Sequence, residues 1–304
     1  MTDEAPKRAE EAWTIRRLLT WTSQHFEKRG IDAPRLTTEM LLAAVLHLDR
    51  VRLYVELDRP VEKVELAAFK ALIERRLAGE PTQYLTGMRE FYGRKFEVDA
   101  RVLIPRPETE LLVEAGLRTL GKDSTATLLD LCTGSGCVAI SLAAERKQVR
   151  VLATELSPEA CDVARRNAEQ LGVGERVEVL EGDLTLPARE RAPFSVILSN
   201  PPYIATDEID TLSPEVRKEP RRALDGGADG LVLIRRVVAE SLPLLEAGGL
   251  LAIEIGETQG QAVLGLFQAA GYVDAVVEKD LERRDRIALG YKPPRPESHE
   301  PRPG

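Results

Sequence analysis

Asn200-Pro201-Pro202-Tyr203 is the stretch of this 304-residue chain whose residue types point most directly to chemistry. Proline fixes its own φ and confines the residue before it to extended backbone, so Asn200 and Pro201 sit in a stiff loop. The loop runs straight on from an apolar segment, Phe194 to Ser199, that reads as a strand. The side-chain oxygen of Asn200 and the carbonyl oxygen of Pro201 are two acceptors suited to the two N–H groups of a planar –NH2. Tyr203 can stack on the flat group that carries it. An amide or aryl amine nitrogen is a poor nucleophile because its lone pair is delocalised. Two acceptors on its protons return electron density to it and aim it at an electrophile such as a sulfonium methyl. That chemistry needs no metal and no histidine. The three histidines are His25, His47 and His299, so none lies near the loop in sequence.

A second constellation lies upstream. Asp130-Leu131-Cys132-Thr133-Gly134-Ser135-Gly136 follows a strand read over Thr127 to Cys132 and opens a helix reaching Ala144. Small residues there let the backbone pass close to a ligand, at the first crossover where sheets of this kind bind nucleotides. Glu155 ends the second strand 19 residues after Gly136 and suits both hydroxyls of a ribose. Asp183, followed by Leu184, ends the third strand and could bond an adenine amino group. These signals fit NAD as well as S-adenosylmethionine. The loop is not GxGxxG and nothing supplies a phosphate clamp, which favours S-adenosylmethionine, with S-adenosylhomocysteine as its product. Cys132 and Cys137 read as small packing residues rather than nucleophiles.

The elements that must hold these groups follow from periodicity. Ile15 to Phe26, a stripe from Leu41 to Leu48, and Val64 to Leu77 read as helices, punctuated by Asp32-Ala33-Pro34 and Asp58-Arg59-Pro60. Phe91-Tyr92 followed by Lys95 to Val98 reads as a β-hairpin. Beyond it, strands alternate with helices through Arg150–Thr154, Val177–Leu180, Phe194–Ser199, Leu250–Ile255, Val273–Val277 and Ile287–Tyr291. Alternation of this kind implies a parallel sheet covered by helices on both faces. The expected division is a helical docking domain over 1–86, a hairpin linker over 87–104, a catalytic domain over 105–292 and a disordered tail over 293–304.

Composition sets the outer limits. With 43% hydrophobic residues the chain can build a core, and no apolar run approaches the ~18 residues a membrane helix needs. The formal net charge of -8, and 15 acidic against 15 basic residues over 1–90, argue against a basic grip on nucleic acid. Three cysteines and no signal peptide fit reduced thiols in a cytoplasmic protein, with monomer the default state. The loop chemistry alone leaves two substrate classes open: a protein amide, or the exocyclic amine of a flipped nucleic-acid base such as adenine N6.

Over nearly its whole length the chain resembles the peptide-chain release factor glutamine methyltransferases, the HemK/PrmC family. The likeness rests on Gly79-Glu80-Pro81, Gln83 to Gly87, Phe91-Tyr92-Gly93, Ile104-Pro105-Arg106-Pro107-Glu108-Thr109-Glu110, the Asp130 loop and Asn200 to Ile204. It continues through Glu219-Pro220, Ala223-Leu224, Gly226-Gly227, Asp229 to Leu231, Glu254-Ile255-Gly256 and Asp285-Arg286. The resemblance implies an α/β fold of the class I S-adenosylmethionine-dependent methyltransferases, with a Rossmann-like, mostly parallel seven-stranded sheet and an N-terminal helical bundle. It implies that Thr133 to Gly136, Glu155, Asp183, Leu184 and Asn200 line the cofactor site. It also implies that Asn200 to Tyr203 hold the Gly-Gly-Gln glutamine of class 1 release factors, docked by the helical domain and methylated to N(5)-methylglutamine. Cys132 also belongs to the expected cofactor set, although it stands where the family usually has glycine. Arg283-Arg284 likewise stand before Asp285 where the family usually has glycine, at a strand end expected to lie away from the chemistry. Arg106 and Glu108 either close over the cofactor or join domains as ion pairs.

Overall fold

A computed structural model of the chain describes residues 12–295, which form two compact units parting between Gly87 and Met88. The last residues of the expected tail, 296–304, lie outside the described residues, and His299 with them.

The first unit is helical: α1 (Ile15–Lys28), α2 (Pro34–Leu46), α3 (Arg50–Val55), α4 (Lys63–Leu77) and α5 (Thr82–Thr86). The starts carry their own signals. The Thr14 hydroxyl caps α1, Pro34 opens α2, the Asp49 carboxylate caps α3, and Glu62 and Glu65 form a reciprocal capping box on α4. Ile15, Leu19, Phe26, Leu41, Leu42 and Phe69 fill the core between the helices. The short helices α3 and α5 are too brief to leave a periodic pattern in sequence.

The second unit begins with a hairpin, β1 (Met88–Phe91) against β2 (Arg94–Glu97). Tyr92 and Gly93 turn it with φ of 48° and 70°, the double positive φ of a two-residue hairpin turn, so Tyr92 belongs to the turn rather than the strand. Phe91 and Phe96 meet edge to face at 6.0 Å inside the core of this unit. The chain continues through α6 (Glu110–Thr119), β3 (Thr127–Leu131), α7 (Cys137–Glu145), β4 (Arg150–Glu155), α8 (Pro158–Gln170), β5 (Val177–Glu181) and β6 (Phe194–Ser199). It ends with α9 (Val232–Ser241), β7 (Leu245–Glu254), α10 (Gly260–Ala270), β8 (Val273–Lys279) and β9 (Asp285–Tyr291). Helix α6, which sequence reading left unassigned, buries Leu112, Val113 and Ala115.

The seven-stranded sheet runs β5-β4-β3-β6-β7-β9-β8. Strands β5 to β7 are parallel; β9 is antiparallel to both β7 and β8. Alternation alone suggested a parallel edge. The segment 280–284 is too short for a crossover, so β9 must fold back, slipping between its neighbours. Along β3, Leu128 faces a core made with α6, α7 and α8, while Leu129 and Leu131 face one made with α9 and α10. From β3 the chain builds outward to β5 and then returns to β6 on the other side, so the switch point lies at the carboxyl ends of β3 and β6.

Asn167 of α8 locks the hairpin onto this sheet. It is fully buried; its Oδ1 accepts from Glu97 N at 2.7 Å, and its Nδ2 donates to Glu97 O at 3.0 Å and to Ser135 O at 2.9 Å. Asn167→Ala leaves those buried backbone groups unpaired and should lower unfolding free energy by about 2–4 kcal/mol. A denaturant midpoint unchanged from wild type would contradict that role.

Candidate active site

Where β3, β4 and β6 end, their loops wall a single cavity. Cys132, Thr133, Gly134, Ser135, Glu155, Asp183, Leu184 and Asn200 all line it, as do Asp130, Thr154, Pro202 and Thr109. Gly136 does not. It turns the chain into α7 at φ 81°, where a Cβ would meet Ile140 and Ala164 at 2.8 and 3.3 Å, so its part is close helix packing. Strand β3 ends one residue early because Cys132 already stands at φ 59°, a conformation that costs an L side chain and suits glycine. β5 likewise ends at Glu181, two residues before Asp183, and Leu184 sits at φ 46°.

The loop acids brace the cavity. Glu155 accepts Gly134 N on Oε2 and Ser157 N on Oε1, both at 3.0 Å, which holds the glycine turn against β4. Each of its oxygens keeps a second lone pair for a further hydrogen bond. Asp183 is held by a two-pronged ion pair from Arg236 of α9, at 3.1 and 2.9 Å. Asp130 is 1% exposed and takes the Thr133 hydroxyl on Oδ2 at 2.6 Å and Ala139 N at 3.3 Å. Burial, with the charge of Glu155 nearby, pushes its carboxyl up to about 7. Two buried hydroxyls in the wall, Ser135 Oγ and Thr154 Oγ1, have no hydrogen-bond partner among the described residues. The polar neighbour of Ser135 is the Cys137 thiol, a weak partner at best.

The Asn-Pro-Pro-Tyr loop leaves β6 as expected. Asn200 Nδ2 donates to Thr109 Oγ1 at 3.1 Å, and Thr109 Oγ1 donates to Glu254 Oε2 at 2.6 Å. Neither Asn200 Oδ1 nor the Pro201 carbonyl accepts a hydrogen bond from any described residue. The Tyr203 ring packs on the core below α9, and its hydroxyl donates to Glu254 Oε1 at 3.2 Å. Tyr203 and Pro201 side chains lie outside the cavity lining. Gln259 donates to the Tyr203 carbonyl at 2.9 Å. A Cβ on Gly226 would come within 2.8 Å of the Pro202 carbonyl, so the glycine-rich segment packs directly on this loop.

The stretch before α6 closes against the same loop region. Glu219, 5% exposed, accepts Ile104 N on Oε2 at 3.0 Å and the Arg106 guanidinium on Oε1. Arg106 is thus an ion-pair strut within the second unit. Glu108 lies 3.8 Å from Arg284. The strand end carrying Arg284 and Arg286 is therefore near the site, contrary to expectation. The β7–β9 pairing sets Ile287 opposite Glu254, and the Arg286 charge acts on Glu254 and Tyr203. Sequence reading gave no role to Thr109, Asp130, Thr154, Glu219, Glu254 or Gln259. Several stand inside motifs noted for resemblance, but Thr109, Glu219, Glu254 and Gln259 bond partners 50 to 150 residues away in sequence.

Residues 17–87 match the model of the PrmC N-terminal domain, and residues 108–247 that of the methyltransferase small domain. The chain is 44% identical over 281 residues to a Geobacter sulfurreducens protein named release factor glutamine methyltransferase, covering 92% of this chain and 97% of that one. A protein of the same name from Moorella thermoacetica is 43% identical over 280 residues, covering 92% and 99%. Among solved structures, a methyltransferase from Pyrococcus furiosus matches with a TM-score of 0.50 at 20% identity, covering 67% of this chain and 91% of that one, a likeness of fold.

Asp130 gives a pH signature. Its carboxyl titrates near about 7 when folded and near ~4 when unfolded. Between those values the folded chain keeps a proton the unfolded chain has lost. This contribution to stability is full below about pH 4 and is lost as pH rises through about 7. Without cofactor, the stability of wild type relative to Asp130→Asn should therefore fall between about pH 4.5 and 8, measured by denaturant unfolding. A pH-independent difference would refute the buried-acid assignment.

Proposed function

The chain belongs to the family of release factor glutamine methyltransferases, and from that membership we propose that it methylates the glutamine of the Gly-Gly-Gln motif in class 1 peptide chain release factors. The methyl donor is S-adenosylmethionine, the acceptor is the side-chain amide nitrogen, and the product is N(5)-methylglutamine.

One observation carries the reading: Asn200 Oδ1 and the Pro201 carbonyl stand side by side in the chain with no donor from any described residue. Free acceptors beside a cavity suit a ligand that brings N–H groups, and a primary amide brings two. Asn200 and Pro201 then hold both protons, orient the nitrogen lone pair and favour charge developing on it. Pro202 stiffens the loop. Tyr203 serves through its hydroxyl bond to Glu254, which anchors the loop.

Cys132, Thr133, Gly134, Ser135, Glu155, Asp183, Leu184 and Asn200 hold the cofactor in this reading, with Gly136 shaping the loop. The fit rests on chemistry in the wall. The orphaned hydroxyls of Ser135 and Thr154 and the carboxylates of Asp130, Glu155 and Asp183 provide acceptors for the ammonium, ribose and adenine groups of S-adenosylmethionine. Bound there, the cofactor supplies an electrophilic sulfonium methyl; positioning and exclusion of water fall to the protein.

The helical unit docks the protein substrate, and its balanced charge suits a protein partner better than a nucleic acid. A substrate that works in translation puts the enzyme in the cytoplasm, acting as a monomer. Among the described residues no helix is long and apolar enough to cross a membrane. The test is to incubate the chain with methyl-labelled cofactor and either purified release factors or nucleic acid, and map the label. Label on the Gly-Gly-Gln glutamine is expected; label on a base with none on that glutamine would sink the proposal.

A further inference from the structure

The geometry points to Thr109 and Glu254 as positioning residues that decide which end of the Asn200 side-chain amide faces the substrate, an inference that builds on amide methylation at this loop. The two ends of an asparagine amide have nearly the same shape. With the oxygen inward, Asn200 accepts a substrate N–H. With the nitrogen inward, N–H would face N–H and the acceptor would be lost.

A directional chain of hydrogen bonds selects the first. Glu254 ends β7 and is 1% exposed, and an ionised carboxylate can only accept. Its Oε2 takes the single proton of Thr109 Oγ1 at 2.6 Å, and its Oε1 takes the Tyr203 hydroxyl at 3.2 Å. With that proton committed, Thr109 has only lone pairs left for Asn200, so Nδ2–H donates to it at 3.1 Å. Oδ1 is thereby turned away from Thr109 and left for the substrate. Burial pushes the Glu254 carboxyl up and the charge of Glu108 adds to that, while the Thr109 hydroxyl, the charge of Arg286 on β9 and the Tyr203 hydroxyl all favour its ionised, accepting form. Thr109, Asn200 and Glu254 come from three separate segments, 91 and 145 residues apart in the bonded pairs. The chain therefore exists only once the hairpin side, β6 and β7 have assembled.

Thr109→Val removes both the donor and the acceptor at nearly constant volume, while Thr109→Ser keeps them. The first readout needs no methyl acceptor: the Asn200 side-chain –NH2 is followed by nitrogen-15 NMR, identified as the signal missing in Asn200→Asp. Its proton exchange with water should be slow in wild type and Thr109→Ser and about tenfold or more faster in Thr109→Val, because the bond that protects it is gone. Unchanged protection in Thr109→Val overturns the inference. The second readout is kcat with saturating cofactor and release factor. Thr109→Val should lose about 10–100-fold, with cofactor affinity within about twofold, and Thr109→Ser should stay within about threefold of wild type. A merely structural role would instead lower the melting temperature of both variants and leave kcat of the folded protein alone; that result, or equal losses in both variants, overturns it too. If wild type itself methylates no glutamine, the substrate reading fails while the exchange measurement still decides the orientation.

Discussion

Two hydrogen-bond acceptors beside the cavity, Asn200 Oδ1 and the Pro201 carbonyl, are left without a partner among the described residues, and the groups around them are arranged to that end. Acceptors within a fold are normally consumed by neighbouring donors or by water. Around the end of β6, donors are absent or committed elsewhere. Proline at 201 and 202 takes away two backbone N–H groups. The Thr109 proton goes to Glu254, Gln259 spends its amide on the Tyr203 and Gly230 carbonyls, and Arg106 is tied to Glu219. Gly226 lets a second segment press on the loop without a side chain that would push it aside.

The cavity beside the loop is organised by the same logic. There the unspent groups include the hydroxyls of Ser135 and Thr154 and the remaining lone pairs of Glu155 and Asp183. Loop strain accompanies them: Cys132 and Leu184 hold positive φ where the backbone turns along the cavity wall. A site of this kind is assembled at the switch point, since the ends of β3, β4 and β6 converge only there.

Much of this was legible in residue order. The stiffness of Asn-Pro-Pro-Tyr, the glycine turn after β3 and Glu155 closing β4 are local facts, carried by residues adjacent in sequence. Most strand and helix identities followed from periodicity, with α3, α5 and α6 the exceptions. What could not be read are pairings across the chain: Thr109 with Glu254 and Asn200, Glu219 with Ile104 and Arg106, Asp183 with Arg236. Each joins segments far apart, and a lone threonine or glutamate gives no sign of its partner. The antiparallel β9 was open to inference from the five residues before it, but the alternating pattern masked it.

The most direct test of the two-acceptor site is Asn200→Ala, assayed for methyl transfer to release factor and, separately, for S-adenosylmethionine binding by calorimetry. Loss of one acceptor aimed at the reacting group should lower kcat by about 10²-fold or more and change cofactor affinity by no more than about threefold. Turnover close to wild type, or an equal collapse of cofactor binding, would contradict the claim that Asn200 acts by holding the substrate nitrogen.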